Sequence, residues 1–334
     1  MVLFRADANE HIGTGHVMRC LSIAKAFAEH GENVKFITAD HAVDRLIQQA
    51  GFDSFCLDSD WSLLENELPL LKSQIEKHNP SLLMVDSYYV TKRYLRELHR
   101  CIRTAYMDDL NADCWDVDYL INYNISGLGC DYTKYKKTEA KLLLGPGYAP
   151  LRSEFQCLPA HVIRYPVTDV LVSAGGSDPE RITEKLMLNV CPKWPEVQFH
   201  FIVGALNPRI ETIKSFEADN IILHINERHM SELMKKCDIA ISAAGSTLYE
   251  LCAVGVPTVA YSLADNQIVA TEEFERLGIM LNAGDCRTNT CFVENIEQFM
   301  NQLSDNKALR EQLSSEMQKL VDGNGAERIA LSMT

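Results

Sequence analysis

The sequence has little positive charge, no long apolar run and no metal-binding cysteine pattern. Its 334 residues hold 32 Lys and Arg against 46 Asp and Glu, a net charge of −14, which argues against nucleic acid or an anionic membrane as a partner. No run of about 18 apolar residues occurs, so no membrane span is expected. Eleven cysteines lie scattered without a CxxC pair, which predicts reduced thiols and no metal site. The chain starts directly with a strand and shows no signal peptide, so we expect a cytoplasmic protein.

What the sequence does have is a regular alternation of strand-like and helical patterns. The hydrophobic content of 46% with 23% charged residues is typical of a globular protein, and the length suits two domains of about 150 residues. Alternating strands and helices are typical of parallel α/β architecture. We predict two Rossmann-like domains whose parallel sheets face each other across a cleft. Residues 1–150 and 151–334 form them, with a linker at 146–166 and a last helix able to pack back on the first domain.

The predicted elements follow from the same patterns. The strands are 2–7, 33–38, 81–86, 103–108, 119–124 and 141–144, then 169–173, 198–203, 221–225, 239–242, 258–262 and 279–282. The helices are 17–30, 41–50, 62–78 and 91–101, then 179–190, 229–236, 247–254, 267–277, 293–304 and 307–331.

A glycine turn near the start of the chain delivers a histidine to the beginning of a helix. Gly13 and Gly15 allow backbone N–H groups to approach a phosphate or a sugar closely. His16 follows at once, in the crevice where α/β sheets bind their ligands. Asp7, at the end of the preceding strand, either orients the imidazole or the sugar or caps the turn. The turn therefore predicts a binding site together with a chemical step.

Polar residues also end other strands of the first half. Tyr88 either orients a sugar or packs at the rim. The adjacent Asp108 and Asp109 face opposite ways on a strand, so they do not by themselves form a glycosidase pair. Asn122 and Asn124 add amide donors near the same edge.

Two glycine- and serine-rich turns in the second half suggest a nucleotide site. Gly175, Gly176 and Ser177 precede Pro179, a residue well suited to the first helical position. The turn either binds a phosphate with helix-start amides or is a tight turn with an Asp or Ser cap. Further along, Ser246 and Thr247 offer hydroxyls to a diphosphate, and Glu250 either accepts both ribose hydroxyls or belongs to a capping box.

Two more segments complete the predicted nucleotide contacts. Asn266 and Gln267 follow a strand and face the ligand with their amides. The junction 225–230, which ends at Met230, holds a uracil edge with backbone groups. His229 in that junction is a cap or a packing residue rather than a catalytic group.

These motifs together resemble one group of proteins over nearly the whole chain. The motifs are Arg5-Ala6-Asp7, 12–20, Asp86-Ser87-Tyr88, 107–109, 122–124, 144–152, 173–178 and Asn266-Gln267. The pattern is similar to PseG, the UDP-sugar hydrolase of the pseudaminic acid pathway, and to the spore-coat polysaccharide protein SpsG. Both are similar to the MurG branch of the GT-B glycosyltransferases.

The resemblance implies hydrolysis of UDP-2,4-diacetamido-2,4,6-trideoxy-β-L-altropyranose to UDP and the free sugar, without a metal or cofactor. It places the protein in pseudaminic acid or surface polysaccharide biosynthesis and flagellin glycosylation. It makes His16 the key catalytic group and Tyr88 the tyrosine of an Asp-His-Tyr motif, in which Ser87 replaces the histidine. The nucleotide contacts map to the second-half residues named above. The oligomeric state stays open, with a monomer acceptable.

Three alternatives remain beside a hydrolase in which His16 activates water and the configuration at C1 inverts. A GT-B glycosyltransferase needs the same base and the same leaving-group site. A non-catalytic nucleotide-sugar binding protein would bind UDP without turnover. A dinucleotide-dependent oxidoreductase is disfavoured, because no third glycine follows Gly13 and Gly15 at the Rossmann spacing.

Overall fold

The computed structural model describes residues 1–9, 12–204, 207–216 and 218–334. The chain divides into two units. The first consists of Met1–Ser153 together with Asn324–Thr334, and the second of Glu154–Gly323. The first unit is therefore discontinuous in sequence.

The first unit is built on a seven-stranded parallel sheet. Its strands are β1 (Val2–Ala6), β2 (Val34–Thr38), β3 (Asp53–Cys56), β4 (Leu82–Asp86), β5 (Thr104–Met107), β6 (Tyr119–Asn122) and β7 (Lys141–Leu144). Its helices are α1 (Gly15–Glu29), α2 (Asp44–Gln49), α3 (Leu68–His78), α4 (Lys92–His99) and the last helix of the chain. Across the sheet the strands lie in the order 3-2-1-4-5-6-7, so the strand numbers fall to β1 and rise again from β4. This order is the Rossmann arrangement, and the place between β1 and β4 is its ligand-binding switch point.

The central strands of this sheet are buried along their whole length. Every residue of β1 and of β4 is buried, as expected for parallel strands covered on both faces. Apolar side chains of α3 and α4, such as Leu71 and Leu98, pack with Leu83 and Val85 in one core. The burial fixes the carboxyl ends of β1 and β4, where polar residues begin.

The second unit repeats the plan with a six-stranded parallel sheet. Its strands are β8 (Asp169–Ser173), β9 (Gln198–Val203), β10 (Ile221–Ile225), β11 (Ile239–Ala243), β12 (Thr258–Ser262) and β13 (Leu281–Asp285). The helices are α5 (Ile182–Asn189), α6 (Ile210–Lys214), α7 (Met230–Lys236), α8 (Thr247–Val254), α9 (Asp265–Arg276), α10 (Phe292–Asp305) and α11 (Lys307–Leu320). The last helix of the chain, α12 (Gly325–Met333), belongs to the first unit. The order 10-9-8-11-12-13 places the switch point between β8 and β11.

The predicted parallel α/β class is confirmed, and several element boundaries are wrong. The helix predicted over 307–331 is two helices, α11 and α12, which belong to different units. The break centres on Gly323, which has φ +79 and passes so close to Phe155 that a side chain there would overlap its carbonyl oxygen. Strand β3 and helix α6 were not predicted, and the helix predicted from 179 begins at Ile182.

Helix α12 packs against α1 in the first unit. His30 Nε2 lies 2.6 Å from Glu327 Oε1, and Arg328 donates to the carbonyl of Gly147. Gly325 lies against the backbone of Ala149, where a side chain would overlap. Within the described ranges, no helix combines the length and the apolar character needed to cross a bilayer.

Candidate active site

The turn that carries His16 depends on one glycine conformation. The N–H of Gly13 donates to the carbonyl of Asn9 at 2.8 Å, and the N–H of Ile12 donates to the Asn9 side chain at 3.0 Å. Gly13 has φ +70, which favours glycine, whereas a side chain at Gly13 or Gly15 would meet no described atom within 4 Å. The requirement at Gly13 is therefore conformational rather than steric. Helix α1 then begins at Gly15 with His16 as its second residue.

His16 is held by a carboxylate at the end of the neighbouring strand β4. The Nδ1 atom of His16 lies 2.6 Å from Oδ1 of Asp86, and both residues are buried. Nδ1 also lies 3.1 Å from the donor Nη2 of Arg19, but the contact with Asp86 is shorter and an ionised carboxylate only accepts hydrogen bonds, so we assign the hydrogen to Nδ1. The neutral imidazole then has its lone pair on Nε2, which is the tautomer that a general base needs.

Arg19 joins this pair one helical turn further along α1. Its Nε donates to Asp86 Oδ2 and its Nη2 to Asp86 Oδ1, each at 2.6 Å, as a two-pronged contact. On its other side, Nη1 donates to Asp109 Oδ1 at 3.0 Å, and Nη2 lies 2.8 Å from Asp109 Oδ2. Burial alone would raise the pKa of Asp86, but the Arg19 charge and the His16 contact hold that pKa well below its usual range. Asp86 is therefore ionised at neutral pH.

The charged groups next to His16 are Arg19, Asp86 and Asp109, which together carry one net negative charge. A positive charge that develops beside them is balanced within the cluster, in a buried setting where unbalanced charge is costly.

Tyr88 lies against the imidazole of His16. The two rings meet edge to face, with centroids 4.5 Å apart, and Tyr88 is 45% exposed. Burial and the nearby Asp109 carboxylate raise the pKa of the Tyr88 phenol, which therefore keeps its proton. Ser87, at the centre of the Asp-x-Tyr motif, accepts a hydrogen bond from the N–H of Tyr89 at 3.1 Å, so its hydroxyl shapes the turn after β4.

The structure gives Asp7 other partners than the imidazole. Asp7 Oδ2 accepts from Arg5 Nη1 at 2.5 Å and Oδ1 accepts from the N–H of Ala39 at 2.7 Å. These bonds tie the end of β1 to the end of β2. The carboxylate that orients His16 is Asp86, at the end of β4.

Arg5 is the centre of a buried ion-pair network beneath this edge. Its Nε and Nη2 donate to the two carboxylate oxygens of Glu67 at 2.7 and 2.8 Å. Tyr94 donates to Glu67 at 2.7 Å. Because both members of the Arg5–Glu67 pair are fully buried, the pair holds its geometry rigidly.

The adjacent acids Asp108 and Asp109 do face opposite ways. Asp108 accepts hydrogen bonds from the Trp115 indole at 3.0 Å and from two backbone N–H groups of the following turn. Asp109 faces Arg19 and also accepts from Asn124 Nδ2 at 2.8 Å. Asn122 donates to Tyr132 at 3.1 Å. Of this group, Asp109 and Asn124 adjoin the His16 cluster.

Sequence reasoning named His16 and Tyr88 as site residues but missed Asp86 and Arg19 as the partners of His16. One signal was available in the sequence. Arg19 follows His16 by three residues and so shares its helix face. The contact with Asp86 depends on the pairing of β1 with β4, which places the end of one strand beside the end of the other.

In the second unit, the predicted nucleotide turns follow strands that are neighbours in the sheet. The segments 175–177, 245–247 and 264–267 follow β8, β11 and β12. A side chain added at Gly175 would lie 3.7 Å from the Leu263 side chain, so the turns after β8 and β12 adjoin. Gly204, which sequence reasoning did not single out, faces Gly176 so closely that a Cβ atom would lie 2.3 Å from the Gly176 carbonyl oxygen.

The helix-start role expected of the Gly175–Ser177 turn is wrong. Helix α5 begins only at Ile182, and Pro179 is not its first residue. The Asp178 carboxylate accepts the N–H groups of Ile182 at 2.8 Å and of Thr183 at 3.0 Å. The alternative of a tight turn with an aspartate cap is therefore the one observed, and the helix-start amides at this turn are already taken.

The start of α8 differs from the start of α5 in its capping. Helix α8 begins at Thr247, after the exposed residues Gly245 and Ser246. Within the described part of the chain, the Ser246 side chain makes no capping hydrogen bond, so the serine half of the expected capping box is absent. The positive end of this helix, at the switch point between β8 and β11, suits a phosphate. Glu250 lies one turn further, half-buried.

The remaining predicted contacts lie at other helix starts. Asn266 and Gln267 belong to the first turn of α9 and not to a loop before it, and Gln267 Oε1 accepts the N–H of Leu263 at 2.8 Å. Asn266 is exposed. Met230 begins α7 with a buried side chain, preceded by the exposed N-cap His229.

Comparison with known proteins identifies a matching domain family and a similar fold. Residues 170–326 match the glycosyltransferase family 28 C-terminal domain. MurG of Acinetobacter baumannii superimposes with a TM-score of 0.73 at 14% identity, covering 99% of this chain and 98% of that one. The chain has the GT-B fold. The predicted fold class is thereby confirmed.

Curated relatives match at lower coverage. The pseudaminic acid cytidylyltransferase and UDP-2,4-diacetamido-2,4,6-trideoxy-β-L-altropyranose hydrolase of Helicobacter pylori is 27% identical over 270 residues, 80% of this chain and 45% of that protein. The hydrolase of the same name from Campylobacter jejuni is 26% identical over 254 residues, 75% of this chain and 86% of that one. SpsG of Bacillus subtilis is 27% identical over 200 residues, 58% of each. The chain spans about half the length of the first curated relatives that it matches. The resemblance expected from the motifs is confirmed.

Proposed function

We propose that the protein hydrolyses a UDP-linked 2,4-diacetamido-2,4,6-trideoxyhexose to UDP and the free sugar, in pseudaminic acid or surface polysaccharide biosynthesis. The names of the relatives in Helicobacter pylori and Campylobacter jejuni support the substrate class. The observation that carries the proposal is the 2.6 Å contact of His16 Nδ1 with Asp86, which fixes a basic Nε2 at the switch point of the first sheet.

The proposed reaction is a single displacement by water. Nε2 of His16 removes a proton from water as the water oxygen bonds to the anomeric carbon, C1. The bond from C1 to the phosphate oxygen breaks, and its electron pair leaves with UDP. Because one displacement occurs, the configuration at C1 inverts. A positioned base contributes on the order of 10²- to 10⁴-fold to such a step.

Neighbouring groups support this base. Asp86 stabilises the imidazolium that forms and keeps the ring in the required tautomer. Tyr88, whose phenol keeps its proton, donates a hydrogen bond to the sugar. Arg19 and Asp109 position Asp86 and the surrounding edge of the site. Asp7 has a structural role at the sheet edge in this scheme.

The second unit is proposed to bind UDP. The amides at the start of α8 and the hydroxyls of Ser246 and Thr247 contact the diphosphate, and Glu250 accepts the ribose hydroxyls. The Gly175–Ser177 turn contributes backbone amides without a helix dipole. Backbone groups at Met230 contact the uracil edge. Asn266 supplies an exposed amide, whereas Gln267 acts mainly by shaping the start of α9.

A glycosyltransferase remains the second candidate, because the family 28 C-terminal domain and the MurG likeness are shared with sugar-transferring enzymes. An acceptor hydroxyl would then replace water at the same base. Gly13 and Gly15, which leave room beside His16, serve either nucleophile.

One experiment separates these readings. The protein is incubated with the UDP-sugar in ¹⁸O-water without any acceptor, and UDP release and the label on the sugar are followed. A hydrolase gives UDP together with ¹⁸O at C1. Absence of turnover with retained UDP binding would overturn the proposal in favour of a transferase or a binding protein. His16→Asn serves as the inactive variant, and His78→Asn, at the end of α3, as the matched histidine control.

A further inference from the structure

A group of metal-ligating side chains lies where β2 and the edge strand β3 of the first sheet end, outside the site described above. His41 follows β2, Cys56 is the last residue of β3, and Asp58 comes two residues later. Cys56 Sγ lies 3.4 Å from Asp58 Oδ1, and His41 Nε2 lies 3.8 Å from the same oxygen. The three ligand atoms all lie within 4.8 Å of one another.

These separations are close to those of a tetrahedral zinc site. With Zn–S of about 2.3 Å and Zn–N and Zn–O of about 2.0 Å, tetrahedral ligands stand about 3.5 Å apart for S and O and about 3.3 Å apart for N and O. The two measured separations differ from these values by about half an ångström or less. His41 and Asp58 are largely exposed, so a small side-chain rotation can close the remaining gap.

The histidine is already oriented as a metal ligand. Nδ1 of His41 lies 2.6 Å from Asp44 Oδ2, and Asp44 Oδ1 accepts a hydrogen bond from the Ser54 hydroxyl at 2.8 Å. A carboxylate on one ring nitrogen fixes the tautomer and leaves the other nitrogen to the metal, as is usual for zinc-bound histidines. Here the second nitrogen, Nε2, is the one that lies 3.8 Å from Asp58 Oδ1.

The cysteine also has the surroundings of a ligand. The N–H of Asp58 points to Cys56 Sγ at 3.4 Å, and the thiol donates to Asp58 Oδ1 at 3.4 Å and to the carbonyl of Ala39 at 3.5 Å. Asp58 reaches this position with φ +50, a conformation that aspartate adopts more readily than most residues. Backbone and side chain of Asp58 thus both converge on the same sulfur.

We propose that His41, Cys56 and Asp58 form a site for a divalent zinc-type ion, with water as the fourth ligand. Mixed nitrogen, sulfur and oxygen donors with one open position are typical of Zn²⁺ and disfavour Mg²⁺ or Ca²⁺. Binding forms a Zn–S bond and breaks the S–H bond of Cys56, whose proton passes to the buffer. Three donors at 41, 56 and 58 match no compact sequence motif, which is why cysteine spacing alone predicted no metal site.

Such an ion would tie the loop after β2 to the end of β3. The N–H of Ala39, two residues before His41, donates to Asp7 at the end of β1. The proposed metal site therefore adjoins the edge of the sheet that carries the candidate active site. The inference does not depend on the proposed hydrolysis, because its readout is metal binding.

The test is titration of the EDTA-treated protein with Co²⁺, followed by displacement with Zn²⁺. We expect one Co²⁺ per chain with a thiolate-to-cobalt charge-transfer band that Zn²⁺ abolishes. Cys56→Ser should remove the band and weaken Zn²⁺ binding at least 100-fold, and Asp44→Asn should weaken it about 10- to 100-fold through His41. Cys101→Ser, which alters an exposed cysteine elsewhere, is the matched control and should change affinity less than twofold.

Three results would overturn the proposal. These are the absence of a band in the unaltered protein, a band that persists in Cys56→Ser, and an equal loss in Cys101→Ser, which would indicate adventitious binding only. If Cys56→Ser fails to fold, Asp58→Asn, at an exposed position, tests the affinity instead: it should weaken Zn²⁺ binding about tenfold or more, and an affinity within twofold of the unaltered protein would overturn the proposal.

Discussion

Replacing Asp86 by Asn tests the chemistry assigned to the first unit most directly. The carboxylate accepts from His16 Nδ1 and from both donors of Arg19. An amide has only one acceptor oxygen, and Arg19 claims it, so the amide N–H₂ faces His16. Nδ1 must then accept, the hydrogen moves to Nε2, and His16 no longer has a lone pair for water.

The loss should equal most of what the base contributes. We expect kcat to fall about 10²- to 10⁴-fold, roughly 3–5 kcal/mol of barrier. KM for the UDP-sugar and Kd for UDP should change little, because the nucleotide contacts are assigned to the second unit. The measurement is the initial rate of UDP release at several substrate concentrations, with UDP affinity determined by calorimetry.

Asp109→Asn is the comparison that separates chemistry from charge balance. It removes the other carboxylate of Arg19 but leaves the contact between His16 and Asp86 in place. Its kcat should fall by no more than about tenfold. If Asp86→Asn keeps its kcat within threefold of the unaltered protein, or if both variants lose activity equally, then the tautomer argument fails.

The same carboxylate also gives a pH signature in stability. The folded-state pKa of Asp86 lies below its unfolded value because, against the effect of burial, Arg19 and His16 favour the ionised form. Its contribution is therefore complete above about pH 4 and is lost as the pH falls further towards the folded pKa. The difference in free energy of unfolding between the unaltered protein and Asp86→Asn should shrink as the pH falls below about 4.

Four further substitutions probe the second unit, a helix cap of the first unit and the buried network. Gly204→Ala places a methyl against the Gly176 carbonyl and should cost about 1–3 kcal/mol of stability and weaken UDP binding, as seen in urea unfolding and calorimetry. Ser246→Ala should leave the free energy of unfolding within about 0.5 kcal/mol but weaken UDP binding about 10- to 100-fold. Thr91→Ala, at a helix cap whose hydroxyl is hydrogen-bonded, should lower the free energy of unfolding by about 1 kcal/mol. Glu67→Gln should cost about 3–5 kcal/mol in urea unfolding; a loss under 1 kcal/mol would contradict the assigned rigidity.

The repeated strand–helix alternation was readable because the central strands are continuous apolar runs. Strands such as β1, β4 and β8 are buried on both faces, and their apolar runs can therefore be recognised in the sequence. Strand β3 escaped prediction because it is a four-residue edge strand whose side chains are half-buried or exposed. The break between α11 and α12 escaped because its cause is the close approach of Gly323 to Phe155, a contact between residues distant in sequence.

The candidate site shows the same division. His16 stood out because a glycine turn precedes it, and Ser246 because it follows a buried strand. Asp86 as the partner of His16 requires the register of β1 with β4, which aligns Ala6 with Asp86, and no local pattern encodes that pairing. Pro179 predicted a helix that begins at that residue. Instead, the Asp178 carboxylate accepts the N–H groups of Ile182 and Thr183, and α5 begins at Ile182.

The return of the chain to its first unit makes the two ends of the sequence mutually dependent. Helix α1 carries the proposed base at its beginning and packs against α12, built from residues 325–333. Residues 1–153 expressed alone would therefore expose the apolar face of α1 and lose the anchor at Glu327. A separately folding first unit calls for a shortcut that joins Ser153 to Asn324, and the second unit can be excised as one uninterrupted insert.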